Sequence, residues 1–415
     1  MPSARHALPL LFCSSLFMAA ATAATFQSLY SFGIAPDGEL PIGAMAVDKN
    51  GVLFGATQLG GAHSYGTVFS LTPPASPGGP WTEAILWSFG SPGDGGEPMG
   101  GVVLGEGGVL YGTTYSGGTI GPGAGTVFSL TPPDSPGGQW TENLIWSFGA
   151  AGGPFTPLAL VIGSGGVLYG TASDLFTLTP PATAGGAWTE EIIGYPNGDV
   201  IGCNARAPVA LASDGTIYGT TNYGANPTCE GVGTVFSLTP TPGGDWTPSL
   251  LFAFPSSFAD GGYPQGGVIV GAGGVLYGTA IDGGAGGYGT VFSLTPPATV
   301  GDPWIETTLY GFSGKDGNWP YTNLWLNKQT GALYGTTEIG GFIGPKPHAD
   351  GDGTVFELRP PASPGAAWAL RQLHHFIGSD GAHPEGSLAE RNGVFYGTTF
   401  AGGANDKGTV FSVIP

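Results

Sequence analysis

Carboxylates recur at a fixed place in this 415-residue sequence, each at the start of an Asp-Gly-x-x-Pro motif. Several carboxylates around one opening could bind Ca²⁺ or a polyhydroxylated ligand, because carboxylate oxygens coordinate Ca²⁺ and accept hydrogen bonds from hydroxyl groups. Alternatively, each Asp accepts hydrogen bonds from its own turn and only shapes the loop. We favour this second interpretation, and Ca²⁺ is the one cofactor that the sequence suggests. The aspartates are Asp37, Asp94, Asp260, Asp316 and Asp380.

Three histidines fall in loops near further acidic residues. They are His63, His348 and His383, and Asp350, Asp352 and Asp380 lie close to the last two in sequence. Such a set could act as a metal site or as an acid–base cluster. Histidines in loops are more often simply solvated, so the aspartates remain the stronger candidates.

No other pattern points to catalysis. The sequence has no nucleophile elbow, zinc-ligand spacing, phosphate loop or dinucleotide fingerprint. A repeated Trp-Thr pair is followed by an acid that we expect to be solvated: Glu83, Glu142, Glu190 and Glu306. The tryptophans could stack on sugars, but a repeated position favours packing against strand edges. They are Trp81, Trp140, Trp188, Trp246, Trp304 and Trp368. We therefore favour a binding role over an enzyme activity.

The elements that position these residues are seven copies of one repeat. Each copy contains an aromatic residue, a glycine and two residues that are Thr or Ala. The glycines of this anchor are Gly55, Gly112, Gly170, Gly219, Gly278, Gly335 and Gly397. We number the repeats 1 to 7 by these glycines. A period of 49 to 62 residues indicates one structural unit for each repeat.

Each repeat contains four strand-like runs. In repeat 2 they are Gly101–Leu104, Val109–Thr114, Gly125–Thr131 and Trp140–Phe148, all rich in Val, Leu, Thr and aromatic residues. Gly and Pro separate the runs, and no helical periodicity occurs. Four short strands in each of seven repeats predict an all-β, seven-bladed β-propeller of four-stranded blades.

The two ends of the chain predict that the ring is closed. Thr25–Phe32 is a version of the fourth run, and Gly408–Pro415 is a version of the third. The N-terminal strand should therefore pair with the last blade and cover its edge. A linear solenoid is the alternative, but it has no use for this offset. The predicted blades are residues 41–90, 98–149, 157–195, 208–255, 264–313, 320–377 and 384–415 plus 25–33.

Two loops of each repeat should lie on the same face, where propellers usually build sites. The DG loop leads into the repeat and carries the Asp-Gly-x-x-Pro motif. The GG loop joins the second and third strands and begins with Gly-Gly, as at Gly60 and Gly61. Repeat 3 lacks both signatures. Its DG loop, residues 152–157, has no Asp, and its GG loop is shortened to Ser173 and Asp174. This paired loss predicts that the two loops touch.

The beginning of the chain and its cysteines predict export. Residues 1–23 read as a signal peptide, with an apolar run from Leu8 to Ala21, so the mature propeller would span 24–415 without a membrane span. Cys203 and Cys229 then remain, in the DG and GG loops of repeat 4. In an oxidising compartment we expect them to form a disulfide. We expect a secreted, extracellular or periplasmic monomer.

The charge excludes some partners. Ten Lys and Arg stand against 29 Asp and Glu, which gives a net charge of −19. Nucleic acids and anionic lipid surfaces need basic patches, so we expect neither as a partner.

The run from Leu110 to Pro132 resembles the repeat of the bacterial choice-of-anchor tandem repeat GloVer-containing proteins, and the resemblance covers essentially the whole mature chain. It implies an exported protein, often attached to the surface by C-terminal anchors, and it transfers no activity. This sequence ends at Pro415 without a sorting tail, so we expect release to the exterior or the periplasm.

Three functions stay open at this point. The first is a binding or scaffold module for extracellular glycans or protein partners that uses the loop face. The second is an enzyme of the propeller lyase, lactonase or glycosidase kind, with a His and carboxylate site at the channel mouth. The third is a structural envelope protein.

Overall fold

The computed structural model describes residues 23–415, apart from 34, 91–92, 119–124, 136, 150–157, 173, 184, 195–200, 225–227, 300, 342–349 and 364. The predicted signal peptide up to residue 22, the DG loop of repeat 3 and His348 lie outside the described residues. Strands dominate the described part, and its helices are three short 3-10 turns: Glu106–Gly108, Ser164–Gly166 and Ala272–Gly274. No helix in this part is long and apolar enough to cross a membrane.

Repeats 1 and 2 share one eight-stranded sheet, which follows the first strand, β1 (Thr25–Ser31). The strands of the shared sheet are β2 (Gly38–Val47), β3 (Leu53–Gly60), β4 (Thr67–Thr72), β5 (Thr82–Ser88), β6 (Gly96–Leu104), β7 (Leu110–Ser116), β8 (Thr126–Thr131) and β9 (Thr141–Ser147). Each half is an antiparallel meander of four strands. The halves meet through one parallel pair, Ala44 with Gly101.

Repeats 3 to 6 form separate four-stranded antiparallel sheets. Repeat 3 contains β10 (Ala159–Ile162), β11 (Leu168–Thr171), β12 (Leu175–Thr179) and β13 (Thr189–Gly194). Repeat 4 contains β14 (Ala210–Leu211), β15 (Ile217–Thr221), β16 (Thr234–Pro240) and β17 (Trp246–Ala253). Repeat 5 contains β18 (Ile269–Val270), β19 (Leu276–Ala280), β20 (Thr290–Thr295) and β21 (Ile305–Gly311). Repeat 6 contains β22 (Trp325–Leu326), β23 (Leu333–Thr337), β24 (Thr354–Arg359) and β25 (Ala369–His375).

The last sheet joins the two ends of the chain. Repeat 7 supplies β26 (Ala389–Arg391), β27 (Val394–Thr399) and β28 (Thr409–Ile414), and β1 pairs with β28 as the fourth strand. The register sets Thr25 opposite Ile414 and Ser31 opposite Thr409. The offset seen in the sequence therefore places the N-terminal strand on the last sheet.

The fold class is confirmed as an all-β propeller with four-stranded blades, but the blade count differs from the prediction. Five four-stranded sheets are separate, and repeats 1 and 2 are merged. The merger has a local cause, because glycines bring two backbones into contact. A Cβ on Gly43 would collide with the backbone of Gly100 and Gly101. Sequence periodicity carries no information about this contact.

The anchor glycine is explained by a phenylalanine on the neighbouring strand. In all seven repeats, the space that a Cβ would need is occupied by the ring of the Phe that lies opposite in the third strand. At Gly278, a Cβ would lie 2.5 Å from Cζ of Phe292. Those seven phenylalanines are fully buried: Phe69, Phe128, Phe176, Phe236, Phe292, Phe356 and Phe411.

The tryptophans connect neighbouring repeats. In four repeats, the Trp directly before the fourth strand packs edge-on against the aromatic anchor residue of the preceding repeat, with ring centroids 6.0 to 6.4 Å apart: Trp140 with Phe54, Trp188 with Tyr111, Trp304 with Tyr218 and Trp368 with Tyr277. Trp81 contacts Tyr396 of repeat 7 in the same way. The tryptophans thus pack against strand edges, and this contact also closes the ring.

The proline of each DG loop packs on the preceding repeat. A Cβ on the glycine directly before the third strand of the preceding repeat would collide with this proline, so only glycine fits there. The pairs are Pro41 with Gly408, Pro98 with Gly66, Pro264 with Gly233, Pro320 with Gly289 and Pro384 with Gly353.

The predicted disulfide is confirmed. Cys203 and Cys229 are bonded, with their Cα atoms 5.7 Å apart. The bond joins the DG loop to the GG loop within repeat 4. The DG loop of this repeat lacks the usual aspartate.

Candidate functional site

The DG-loop aspartates are engaged in their own turns. Asp37 accepts hydrogen bonds from the Gly33 and Gly38 amides at 2.6 and 2.8 Å, and from the Tyr30 hydroxyl at 3.0 Å. Asp316 accepts from the Ser313 amide at 2.8 Å and from the Tyr310 hydroxyl at 2.6 Å. These contacts leave the carboxylates facing their own loops.

The other three aspartates also lie within DG loops. Asp94 accepts a hydrogen bond from the Gly90 amide at 3.3 Å. Asp380 accepts one from the Ile377 amide at 2.9 Å and lies 2.9 Å from Nε2 of His374. The backbone carbonyl of Asp260 accepts from the Thr290 hydroxyl at 3.4 Å. Within the described ranges, no three His, Cys, Asp or Glu side chains are grouped so that they could hold a metal ion.

The two loops of a repeat do touch. In repeat 1 the Gly61 amide donates to the Asp37 carbonyl at 2.9 Å, and in repeat 7 the Gly403 amide donates to the Gly378 carbonyl at 2.8 Å. The contact predicted from the paired loss in repeat 3 is therefore present where both signatures occur.

The described histidine candidates are in different surroundings. His63 is exposed in the GG loop of repeat 1, beside Gly90. His383 lies in the DG loop of repeat 7, with Nδ1 3.9 Å from Oε1 of Glu338 in repeat 6. His383 is therefore the candidate that contacts a carboxylate of another repeat.

A cavity of about 170 Å³ lies where all seven repeats meet. Its wall includes the residue that follows the proline of the DG motif. Repeat 4 has Ala205 in place of that proline, and Arg206 follows it. These wall residues are Ile42, Met99, Arg206, Gln265, Tyr321 and Glu385. We call this opening the mouth.

Threonines of the second strands hold the backbone of the mouth. In repeats 3 to 6 the hydroxyl of the first anchor Thr donates to a carbonyl of the next repeat: Thr171 to Arg206 at 3.4 Å, Thr220 to Gly266 at 3.1 Å, Thr279 to Thr322 at 3.2 Å and Thr336 to Pro384 at 3.3 Å. In these four repeats the first Thr of the anchor thus positions the variable residues of its neighbour.

Two residues before each of these wall positions, the backbone is left-handed at residues other than glycine. The six residues have φ between 52 and 64°: Leu40, Glu97, Asn204, Tyr263, Trp319 and His383. This conformation costs on the order of 1 kcal/mol and persists only where neighbours impose it. At five of the six, all but Asn204, the amide donates to the GG loop of the preceding repeat, as from His383 to Asp352 at 3.0 Å and from Trp319 to Tyr288 at 3.2 Å.

The mouth has two unlike sides. Repeats 1 to 3 contribute Ile42, Met99 and Leu158, whereas repeats 4 to 7 contribute Arg206, Gln265, Tyr321 and Glu385.

Further polar side chains lie next to the polar side of the mouth, at the position directly after the second-strand threonines. Asn222 donates from Nδ2 to Oε1 of Gln265 at 3.0 Å. Its Oδ1 is buried and has no hydrogen-bond partner among the described residues. Glu338 holds the same position in repeat 6. These side chains link neighbouring repeats around the mouth.

Burial raises the pKa of the acids at and beside the mouth. Burial, and then the nearby Glu338, raise the pKa of Glu385 to about 7. Burial also raises the pKa of Glu338, and His383 opposes that rise. The pKa of Tyr321 is raised by burial and by Glu385, while Arg206 lowers it. Because Arg206 and Glu385 share the wall with Tyr321, the pKa of this tyrosine responds to both.

Sequence reasoning missed most of this site. Of the predicted candidates that the structure describes, none is part of the wall of the mouth, and His383 lies two residues before the wall residue Glu385. The prediction relied on positions that the repeats share. The mouth is built from positions that vary between repeats. The available signal was the variable residue on each side of the DG-loop proline.

The glutamates after the Trp-Thr pairs were predicted to be solvated, and this was wrong. Burial raises the pKa of Glu83, Glu142 and Glu306 to about 7, and the aspartate of the same repeat adds to the rise. Oε1 of Glu83 and of Glu142 is buried and has no hydrogen-bond partner within the described part of the chain. The alternation of side chains along an outer strand does not show which face of that strand packs against the next repeat.

The family model of the Gloeobacter/Verrucomicrobia repeat matches residues 14–186 and 195–415. The chain belongs to the Gloeobacter/Verrucomicrobia repeat family. This confirms the resemblance drawn from the run between Leu110 and Pro132. No curated protein is significantly similar to this family member.

Solved structures share the fold of this repeat protein at low identity. Virginiamycin B lyase from Staphylococcus aureus is 14% identical, with a TM-score of 0.55, and the match covers 94% of this chain and 99% of the lyase. A streptogramin B lyase is 15% identical, with a TM-score of 0.54 and coverage of 94% and 97%. An ancestral GH74 enzyme is 12% identical, with a TM-score of 0.56, and 90% of this chain matches 48% of that enzyme.

Proposed function

We propose that this repeat protein binds a compact polyhydroxylated ligand, such as a sugar unit of an extracellular glycan, at the mouth. One observation carries the proposal: variable positions of repeats 4 to 7 converge there and hold aromatic, amide, carboxyl and guanidinium groups. Ligand sites generally combine a concave wall with a few polar groups that fix orientation.

The side chains suit a sugar. A sugar ring has an apolar face that stacks on aromatic rings, and hydroxyls that need both donors and acceptors. Trp319 is 40% exposed beside the mouth, and Tyr321 is part of the wall. Gln265 and Asn222 supply amides, and Asn222 has a buried oxygen that could accept a hydrogen bond from a hydroxyl.

A glycan array followed by calorimetric titration of the best ligand tests the proposal. Trp319→Ala should weaken binding at least tenfold, because a stacking surface is lost. Ile305→Ala is the matched control, since Ile305 is 60% exposed on a fourth strand away from the mouth. Failure to bind any glycan, or equal binding by the parent protein and Trp319→Ala, would contradict the proposal.

A second candidate is acid–base catalysis at the same mouth. His383 and Glu338 lie 3.9 Å apart and could remove a proton, and Glu385 could donate one to a leaving group. Similarity of fold to two lyases is compatible with this chemistry but does not transfer it, because identity is only 14 and 15%. Turnover of a bound ligand that His383→Ala abolishes, while binding persists, would support this candidate.

We also propose a role for the predicted aspartates and a blade count. Asp37, Asp94, Asp260, Asp316 and Asp380 would shape the DG loops without binding Ca²⁺. The shared sheet would act as two blades, because one pair of residues joins its halves, so the ring would have seven. The mature chain would be a secreted monomer, and the disulfide supports the secretion.

A further inference from the structure

The side chain of Arg206 has a neutral partner, whereas three other described cations contact carboxylates. Arg359 and Arg371 contact Glu357 at 2.8 and 3.4 Å, and Lys407 contacts Glu39 at 2.7 Å. Arg206 instead donates from Nε to the amide oxygen of Asn204 at 3.3 Å. This bond orients the guanidinium and uses one of its five N–H donors.

The position of Arg206 makes this difference informative. It is exposed in the wall of the mouth, in a chain with a net charge of −19 and only ten Lys and Arg. The DG motif places an uncharged or acidic residue at the same position in other repeats: Ile42, Met99, Gln265, Tyr321 and Glu385. A positive charge held by a neutral partner in an open cavity is suited to an anionic group of a ligand.

We propose that the ligand of the mouth carries a carboxylate, as the uronic acid units of acidic polysaccharides do, and that Arg206 binds this carboxylate. The inference rests on the proposed binding function and names its ligand class. Planar carboxylates match the fork of a guanidinium and accept two parallel hydrogen bonds from it.

A singly charged sugar acid fits the surroundings better than a phosphate. Glu385 lines the mouth and would repel a dianion more strongly than a single negative charge. Burial, and then the nearby Glu338, raise the pKa of Glu385 to about 7, so below that pH it repels a carboxylate less than an ionised acid would. Arg206, Tyr321 and Glu385 all line the mouth, so a sugar ring next to Tyr321 could reach both charged groups.

Matched pairs of sugars test the inference. The probes are trimers of galacturonate, mannuronate and glucuronate, each compared with its methyl ester, which keeps the ring and removes the charge. We expect at least one acidic trimer to bind tenfold or more tightly than its ester, with affinity falling as salt increases. Arg206→Ala should reduce acid binding to the level of the ester, and Arg206→Lys should keep part of the difference.

Control variants separate this inference from the proposed function. Lys49→Ala removes an exposed positive charge elsewhere and should leave the ratio of acid to ester binding unchanged. Equal affinity for acids and esters, or unchanged acid binding by Arg206→Ala, overturns the inference. If neutral sugars still bind and depend on Trp319, the proposed function stands alone. If no sugar binds, the proposed function falls, and the inference falls with it.

Discussion

Glu338 and His383 belong to neighbouring repeats, and Oε1 of the first lies 3.9 Å from Nδ1 of the second. Glu338 also raises the pKa of Glu385, so the titration of an acid in repeat 7 depends on an acid in repeat 6. The mouth is therefore formed between repeats, and its charge should change close to neutral pH.

Ligand binding should depend on the protonation of Glu385. Its pKa is about 7, so the side chain is mostly neutral below that pH and becomes negative above it. Affinity for an acidic sugar should then fall as pH rises from about 6 to about 8. Glu385→Gln should flatten this profile, as measured by calorimetric titration across the range. If Glu385→Gln had the same pH profile as the parent protein, protonation of Glu385 would not control binding, and the prediction would be wrong.

Folding stability should decrease as pH rises towards neutrality. The folded-state pKa of Glu83, Glu142 and Glu306 is raised from 4.5 to about 7. The folded state therefore holds more protons between these values, and stability present below pH 4.5 is lost as pH approaches 7. Allowing for partial exposure, Glu83→Gln should recover about 1 kcal/mol at pH 8, as measured by urea unfolding.

An exposed acid provides the control for the pH experiment. Asp134 is exposed in the loop before the fourth strand of repeat 2. Asp134→Asn should leave the dependence of stability on pH as it is in the parent protein. Equal curves for the parent and Glu83→Gln would show that burial of this glutamate does not control stability.

The anchor glycine should tolerate no side chain. In Gly278→Ala, the added methyl would meet the Phe292 ring inside a closely packed core. Overpacking of this kind costs about 2 kcal/mol, so thermal unfolding should occur at a clearly lower temperature. Gly243→Ala is the control, because Gly243 is exposed and its nearest neighbouring atoms would lie 3.8 Å from the Cβ. Similar losses in both variants would contradict the packing argument.

Removal of the disulfide should destabilise the folded chain. Cys203 and Cys229 are 26 residues apart, and a closed loop of that length contributes about 3 kcal/mol by restricting the unfolded chain. Cys203→Ser with Cys229→Ser should lose about that amount in denaturant unfolding. Addition of reductant should have a similar effect on the parent protein and none on the double variant.

Residues that every repeat shares made the fold predictable from the sequence. The aromatic-Gly-Thr anchor recurs because Gly278 and its equivalents face a buried Phe, and that constraint is visible as periodicity. The merged sheet was not predictable, since it depends on how closely the backbone at Gly43 approaches Gly101.

The candidate site was harder to predict for the opposite reason. Arg206 and Tyr321 occupy the same repeat position but share no chemistry, so comparison of the repeats gives them no signal. Only the arrangement of the DG loops around a ring brings these unrelated residues into one wall. His383 was found because histidine is rare in the chain, whereas its partner Glu338 was not.

The left-handed residues beside the mouth have a consequence for how this family can change. At Leu40, Glu97 and Trp319 the backbone is held by an amide contact to the preceding repeat and by the proline that follows, not by the side chain. These three residues therefore share one conformation with three different chemistries. Under the proposed function, mutation at these sites would change ligand preference one repeat at a time while the ring around them keeps its shape.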